Sequence, residues 1–90
     1  MTFDVVVEVR LRPGIADPQG ATIEKALPAL GFAGVSDVTV GKSIRFAVQA
    51  ADEVAARALV QDMCDRFLTN PVIEDSSIAI SEPVASEVAG

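Results

Sequence analysis

The first eleven residues alternate between apolar and polar side chains, and this alternation constrains the fold more than any other feature of the chain. Apolar side chains occupy the odd positions Phe3, Val5, Val7, Val9 and Leu11. Three of the four even positions between Phe3 and Leu11 are charged. Because successive side chains of a strand point to opposite faces, this period of two predicts a β-strand with one buried face.

A helical pattern follows, after a break at Pro13-Gly14. Asp17 is placed as its N-cap, and Pro18 suits the first helical position. The apolar residues with helical spacing are Ile23, Leu27 and Leu30. Gly31 is placed to end the helix in a left-handed conformation. Pro28 removes one helical amide, which predicts a kink or a tightened last turn.

The middle of the chain contains two short β-like stretches. The first begins at Val35 and reaches Val40, and the second runs from Ile44 to Val48. Their closeness predicts a hairpin that turns at Gly41-Lys42-Ser43.

A second helix is predicted from an N-cap at Asp52 to Asn70-Pro71. The apolar residues expected on its buried face are Ala56, Leu59, Val60, Met63 and Phe67. A last strand is predicted at Val72-Ile73 and Ile78–Ile80, interrupted by the polar residues 74–77.

The resulting order, β-α-β-β-α-β, predicts an α+β two-layer sandwich. Its four-stranded antiparallel sheet would carry both helices on one face, as in the ferredoxin-like fold or a close variant. A chain of 90 residues has the size of one domain, which we place at residues 1–81. Residues 82–90 lack periodicity and are predicted to form a mobile tail.

Composition excludes several classes of function. The net charge of −6 opposes binding to nucleic acid or to anionic membranes. The absence of histidine and the single cysteine, Cys64, argue against a zinc site and an internal disulfide. No apolar run approaches the roughly 20 residues of a membrane span. We therefore expect a cytoplasmic protein that binds neither nucleic acid nor membrane.

Three short stretches could carry chemistry, and each has a simpler explanation. Gly41-Lys42-Ser43 resembles the end of a phosphate loop, but the upstream glycine is replaced by Ser36. Cys64 lies in a predicted helix without a histidine to activate it. Adjacent Glu74 and Asp75 would point to opposite faces of a strand, so we expect a turn or bulge there. The sequence predicts no catalytic, cofactor-binding or metal-binding residues.

Three segments in order resemble the small-subunit (PurS) family of phosphoribosylformylglycinamidine synthase. They are Asp17-Pro18-Gln19-Gly20, Val40-Gly41-Lys42 and the stretch from Asn70 to Asp75. The resemblance covers residues 3–80. Two residues depart from the family pattern: Pro28, inside the first helix, and Ser76, where the family has a bulkier side chain.

The resemblance implies a role in purine biosynthesis. In this family's complex, a glutaminase subunit releases ammonia, and a large synthetase subunit uses ATP and magnesium to convert formylglycinamide ribonucleotide into the amidine. The small subunit is expected to bridge the other two, as a homodimer or a tetramer, and to assist ammonia transfer. It would need no cofactor of its own.

The resemblance also suggests residues that serve assembly. The expected interface or assembly positions are Asp17, Gln19, Gly20, Gly41, Lys42, Asn70 and Glu74. Gly20 is an unusual choice inside a helix, since glycine weakens a helix by up to ~1 kcal/mol relative to alanine. We therefore expect a neighbouring strand or a partner chain to approach closely at Gly20.

A second hypothesis is a small-molecule sensor that resembles the ACT regulatory domain, which shares the predicted element order. The stretch from Arg12 to Ala16 resembles the first loop of that family, where a glycine lets an amino acid approach the backbone. Such domains usually accompany an enzyme in the same chain, and the stretch from Asn70 to Asp75 has no place in this alternative.

Overall fold

The computed structural model describes residues 1–82, so the predicted mobile tail lies outside the described residues except for Glu82. These 82 residues form three strands, two α-helices and one π-helical turn. The strands are β1 (Thr2–Leu11), β2 (Lys42–Gln49) and β3 (Glu74–Ser81). The helices are α1 (Pro18–Ala29) and α2 (Glu53–Met63), and the π-helical turn is Cys64–Leu68.

The three strands form one antiparallel sheet in the order β2-β1-β3, with β1 in the centre. Val7 of β1 lies opposite Ile44 of β2 and Ile78 of β3, so apolar residues of all three strands share one face. The odd residues of β1 from Phe3 to Val9 are buried, which confirms the alternation predicted for this strand.

The core lies between this apolar face and α2. Ala56, Val60 and Cys64 follow one another at intervals of four residues, and each is completely buried. They pack with the buried side chains of β1 and with Val48 of β2. Because α2 leads from the far end of β2 to the start of β3, it crosses the sheet and covers the face that needs a second layer.

The predicted four-stranded sheet is wrong in one strand, because Val35–Val40 does not join the sheet. Gly34 and Asp37 have positive φ values of 84° and 58°, which interrupt an extended conformation. Neither the amide of Val38 nor that of Val40 bonds to a neighbouring strand: the first donates to the carboxylate of Glu24 in α1, and the second donates to the carboxylate of Asp17, the N-cap of α1. The segment predicted as an edge strand is therefore irregular, and it is hydrogen-bonded to α1 and its N-cap.

The predicted hairpin at Gly41-Lys42-Ser43 is also wrong. Lys42 is the first residue of β2 and lies opposite Val9 of β1. Since β1 ends and β2 begins at the same end of the sheet, residues 12–41 leave the sheet there and return to it. We call residues 12–41 the α1 arm.

The prediction that both helices cover the sheet holds only for α2. Within the described residues, α1 has one buried residue, Gly20, and Glu24 of α1 and its N-cap Asp17 accept hydrogen bonds from residues 38 and 40 of the α1 arm. The three apolar residues of its predicted stripe remain accessible: Ile23 and Leu30 are 43% and 70% exposed, and Leu27 is half-buried.

The C-terminal end of α1 agrees with the sequence prediction. Gly31 has φ 94°, and its amide donates to the carbonyl of Pro28 at 3.0 Å. The Phe32 amide donates to the carbonyl of Leu27, also at 3.0 Å. This pair of hydrogen bonds is the Schellman motif, in which a left-handed glycine satisfies the last carbonyls. The Leu30 amide also donates to the carbonyl of Leu27, three residues earlier, at 3.0 Å, so the tightened last turn expected around Pro28 is confirmed.

The end of the second helix departs from its predicted winding. In the π-helical turn, the Thr69 amide donates at 3.1 Å to the carbonyl of Cys64, five residues earlier. This wider turn places Leu68 against the core, while Phe67 is 86% exposed. Phe67 was predicted on the buried face because an α-helical period was assumed to the end of the helix, and that prediction is wrong.

The last strand is continuous from Glu74 to Ser81, contrary to the predicted interruption, and Val72-Ile73 lie in the turn before it. Glu74 and Asp75 are its first two residues, and they lie opposite Leu11 and Arg10 of β1. The polar residues tolerate this position because β3 is an edge strand whose second face is open to solvent. The expected turn or bulge at Glu74-Asp75 is therefore wrong.

Candidate functional site

A cleft of about 380 Å³ opens where the α1 arm leaves and rejoins the sheet. It lies between the end of β1, the start of α1, the start of β2 and the start of β3. Five of the seven predicted assembly residues line it, namely Asp17, Gln19, Gly41, Lys42 and Glu74. Residues that are distant in sequence thus meet at one end of the sheet.

Asp17 holds the start of α1 to the end of the irregular segment. One carboxylate oxygen accepts a hydrogen bond from the Gly20 amide at 2.9 Å, which caps the helix as predicted. The other oxygen accepts from the Val40 amide at 2.8 Å. Hydrogen bonds from the Gly20 amide and then the Val40 amide lower the pKa of Asp17 below its ordinary value of 3.8. The carboxylate therefore stays ionised at neutral pH.

Gly20 confirms the predicted close approach, and the approaching group belongs to the same chain. A Cβ at this position would overlap the Val38 carbonyl oxygen and crowd the Asp17 carboxylate. Beside it, the Val38 amide donates to Glu24 Oε1 at 2.9 Å. Glycine at this position lets the irregular segment lie directly against the helix.

Gly41 allows a second close approach, between the start of β2 and β1. A Cβ at Gly41 would lie 2.7 Å from the carbonyl oxygen of Val9. A separation under about 3 Å would require the backbone to shift, so a larger residue does not fit here without movement. Lys42 follows immediately and is exposed at the rim of the cleft.

Asn70 and Glu74 form the turn that leads into β3. The Asn70 amide donates to Glu74 Oε1 at 2.7 Å, and the Glu74 amide donates to the Asn70 carbonyl at 2.8 Å. The Asn70 side chain also accepts from the Val72 amide at 3.2 Å. Asn70 therefore shapes the turn that presents Glu74 to the cleft, and all seven predicted positions belong to one region.

Sequence reasoning missed Glu24, Val40 and Arg10. Glu24 follows Gly20 by four residues, so helical spacing could have placed both on the side that meets the irregular segment. Val40 acts through its backbone amide, which carries no sequence signal. Arg10 lines the cleft although the strand pattern places it on the polar face of the sheet.

The chemistry available in this region is that of charge and hydrogen bonding. Residues 1–82 contain no group of three or more His, Cys, Asp or Glu side chains that could hold a metal ion. Burial raises the pKa of the Cys64 thiol, which disfavours the nucleophilic thiolate. Within the same residues, neither helix has the length and apolar character of a membrane span. The cleft is a candidate docking surface because charged and hydrogen-bonding residues line it beside apolar ones.

Comparison with known proteins gives a consistent family. The family model for PurS, described as phosphoribosylformylglycinamidine (FGAM) synthase, matches residues 4–82. The PurS subunit from Methanothermobacter thermautotrophicus is 42% identical over 82 residues, which cover 91% of this chain and 96% of the relative. The subunit from Mycobacterium leprae is 45% identical over 73 residues, covering 81% and 89%.

Solved structures agree with these sequence relatives. PurS from Methanocaldococcus jannaschii superposes with a TM-score of 0.81 at 33% identity, covering 91% of this chain and 99% of that one. A chain of the PurLQS structure from Thermotoga maritima gives a TM-score of 0.83 at 31% identity, covering 90% and 99%. These similarities give no support to the ACT-like alternative.

Proposed function

We propose, because this chain belongs to the PurS family of phosphoribosylformylglycinamidine synthase, that it is the small subunit of that complex in purine biosynthesis. The observation that carries the proposal is the likeness to a chain of the PurLQS structure over nearly the whole domain. The subunit belongs to a glutamine-dependent ligase and carries no catalytic residue itself.

The partners are the glutaminase subunit and the large synthetase subunit. The large subunit uses ATP and magnesium, and this chain binds no cofactor. Its role is to hold the other two in a geometry that lets ammonia pass between them. Protonated ammonia is not a nucleophile, so an enclosed route that excludes water keeps the reactive form available. Its location in the cytoplasm stays a prediction.

The α1 arm supports self-association as a homodimer. Five of the ten large apolar residues that are exposed within residues 1–82 lie on the arm: Ile15, Ile23, Leu30, Phe32 and Val35. Scattered exposed apolar residues are ordinary, but Ile23 and Leu30 belong to one helical stripe, and an accessible apolar stripe on a helix is typical of an interaction surface. We place the self-association surface on these five residues of the arm.

The seven assembly positions are proposed as one functional region at the base of the arm. Asp17 and Gly20 hold the start of α1 against residues 38–40, and Gly41 lets the end of the arm approach Val9 of β1, so their role is to position the surface. Gln19, Lys42 and Glu74 present side chains at the cleft. Asn70 supports Glu74 by closing the turn before β3.

Reconstitution tests the proposal. The glutaminase and synthetase subunits are mixed with and without this chain, and amidine formation is measured with glutamine and then with ammonium chloride. We expect glutamine-dependent synthesis to require this chain and ammonia-dependent synthesis to persist without it. Equal glutamine-dependent rates in both mixtures would refute the bridging role.

A further inference from the structure

Helix α1 and the sheet each have an apolar surface that remains partly in contact with water. On α1 this surface is the stripe of Ile23, Leu27 and Leu30, in which Ile23 is 43% exposed and Leu30 is 70% exposed. On the sheet it is the β2 side of the apolar face, where Ile44 and Phe46 are only half-buried. One chain therefore carries an apolar helix without a sheet to cover, and a sheet with apolar residues still accessible.

Helix α2 covers the centre of the apolar face and lies nearer to β3 than to β2. Arg57 of α2 donates to the carbonyl of Ile78 in β3 at 3.3 Å, which joins the helix to that side of the sheet. Neighbouring strands are about 4.8 Å apart, so β2 and β3 lie roughly 10 Å apart on either side of β1. The axes of packed helices are also about 8–10 Å apart. A helix on the β3 side therefore leaves room for a second helix over β2.

The helix stripe and the β2 side of the sheet are similar in length. The stripe from Ile23 to Leu30 spans about 10 Å along the helix axis. The apolar residues from Ile44 to Val48 span about 14 Å along the strand. A helix of the size of α1 can therefore cover this side of the sheet.

Within one chain the two surfaces stay apart. Helix α1 is held at its start against residues 38–40, at the end of the sheet where β2 begins. It makes no extensive contact with any strand of the described residues. The radius of gyration is 17.1 Å, whereas a compact chain of this length has about 12 Å. The arm therefore extends away from the sheet instead of folding back over β2.

We infer that two copies of this chain exchange their arms, so that the stripe of each α1 packs on the β2 side of the partner's sheet. A two-fold axis forms this contact twice, because each copy supplies one helix and one sheet. Each sheet then carries two helices, as the element order predicts for a ferredoxin-like arrangement. This inference rests on the proposed homodimer and names the surface that receives the arm.

The occupant is a second copy because exchange buries both apolar surfaces in one symmetric interface. Pairing of two arms would bury the stripes and leave Ile44 and Phe46 in contact with water. Pairing of two sheets through their β2 sides would leave the stripes accessible. Since the gain from burial grows with the apolar area removed from water, exchange is favoured over both alternatives.

One variant on each surface supplies the test. Ile23→Glu alters the stripe, and Ile44→Lys alters the β2 side of the sheet. Ile44→Thr is included because it keeps the β-branched shape if the lysine disturbs folding. Lys25→Glu and Arg45→Glu are the matched controls, since both residues are exposed and lie on the faces of α1 and β2 that point away from the proposed contact.

Sedimentation equilibrium gives the dimer dissociation constant of each chain and of an equimolar mixture of the Ile23→Glu and Ile44→Lys chains. Thermal unfolding shows which variants are folded. Ile23→Glu and Ile44→Lys should each weaken the dimer by about tenfold or more, because each places an unpaired charge in both apolar contacts. Ile44→Thr should have a smaller effect in the same direction. The controls should change the constant by less than about twofold.

The mixture of the two variants should associate more tightly than either variant alone. In a mixed dimer, the unaltered arm of one chain meets the unaltered sheet of the other. The second contact brings the introduced carboxylate and the introduced ammonium group to the same interface, where opposite charges are favourable. Such rescue requires that the arm of one copy contacts the sheet of the other.

Three results would overturn the inference. A dissociation constant within twofold of the unaltered chain for the folded Ile44 variants would show that β2 receives no arm. The same result for Ile23→Glu would exclude the stripe from the interface. A mixture no tighter than its components would contradict the exchange. A monomeric unaltered chain would refute the proposed homodimer as well, whereas the bridging role is tested separately by reconstitution.

Discussion

The two helices begin in the same way and serve different purposes. Asp17 caps α1 and Asp52 caps α2, each accepting from the amide three residues later, at 2.9 and 2.7 Å. The helices then diverge in burial. Ala56 and Val60 of α2 are fully buried, whereas the only buried residue of α1 is Gly20.

This difference in burial gives the two helices different roles: α2 stabilises the fold, and α1 is available for assembly. Helix α2 covers the apolar face of the sheet and therefore completes the core. Helix α1 is held at its base by backbone contacts with residues 38–40 and leaves its apolar side chains accessible. An apolar helical stripe that contacts no other part of its own chain can be buried only against another molecule.

The largest expected effect is a loss of stability, and truncating a residue of α2 should cost far more of it than truncating a residue at the C-terminal end of α1. Val60→Ala should lower the free energy of unfolding by about 2 kcal/mol, because two buried methyl groups and their contacts are lost. Leu30→Ala should change the stability of the monomer by less than about 0.5 kcal/mol and weaken self-association instead. Urea denaturation and sedimentation equilibrium measure the two effects.

Equal losses of monomer stability in the two variants would break the contrast between the helices. Leu30→Ala without any change in the dimer would remove Leu30 from the proposed self-association surface. The concentration dependence of the unfolding midpoint separates the two contributions, because a dimer becomes more stable as its concentration rises.

A smaller change in stability is expected for Gly20→Ala, and its sign distinguishes a gain in helix propensity from a steric clash. Helix propensity alone predicts that Gly20→Ala stabilises the helix by up to ~1 kcal/mol. Overlap of the new Cβ with the Val38 carbonyl oxygen predicts the opposite, a loss of about 1–2 kcal/mol in the local stability of the arm. Hydrogen exchange of the Val38 and Val40 amides reports this loss directly.

The neighbouring exposed residue provides the control for helix propensity. Ala21→Gly should weaken the helix by up to ~1 kcal/mol without steric overlap. Stabilisation by Gly20→Ala would mean that the irregular segment does not lie against α1 in solution, and the close approach would be withdrawn.

The smallest expected effect distinguishes the two capping residues. Asp52→Ala should lower the global free energy of unfolding by about 1 kcal/mol, because α2 belongs to the core. Asp17→Ala should act locally, by speeding hydrogen exchange at the Val40 amide while the amides of Val5 and Val7 stay protected. An unchanged exchange rate at Val40 would contradict the anchoring role of Asp17.

Local features of the sequence predicted several elements correctly. The alternation of β1 identified the central strand, and the caps at Asp17, Asp52 and Gly31 marked helix ends. These features succeed because they depend on side chains within one segment. The grouped positions of Asp17, Gly41 and Asn70 also proved to lie in one region, although only the resemblance to a family had connected them.

The failures have a common origin in competition between segments. Val38 and Val40 have the composition of a strand, but their amides donate to the carboxylates of Glu24 and Asp17 and not to a strand. At the end of the second helix, one π-helical turn places Leu68 against the core and leaves Phe67 exposed. Neither outcome can be obtained from the periodicity of one segment, since each depends on what the segment meets in space.

The sequence by itself determined the central strand, the boundaries of α1, the start of α2 and the family of the chain. Only the tertiary structure decided that the sheet has three strands and that α1 stands apart from it. The physical reason is that a backbone amide has the same chemistry in every residue, so its partner is fixed by packing. At the base of the arm, the carboxylates of Asp17 and Glu24 provided that partner.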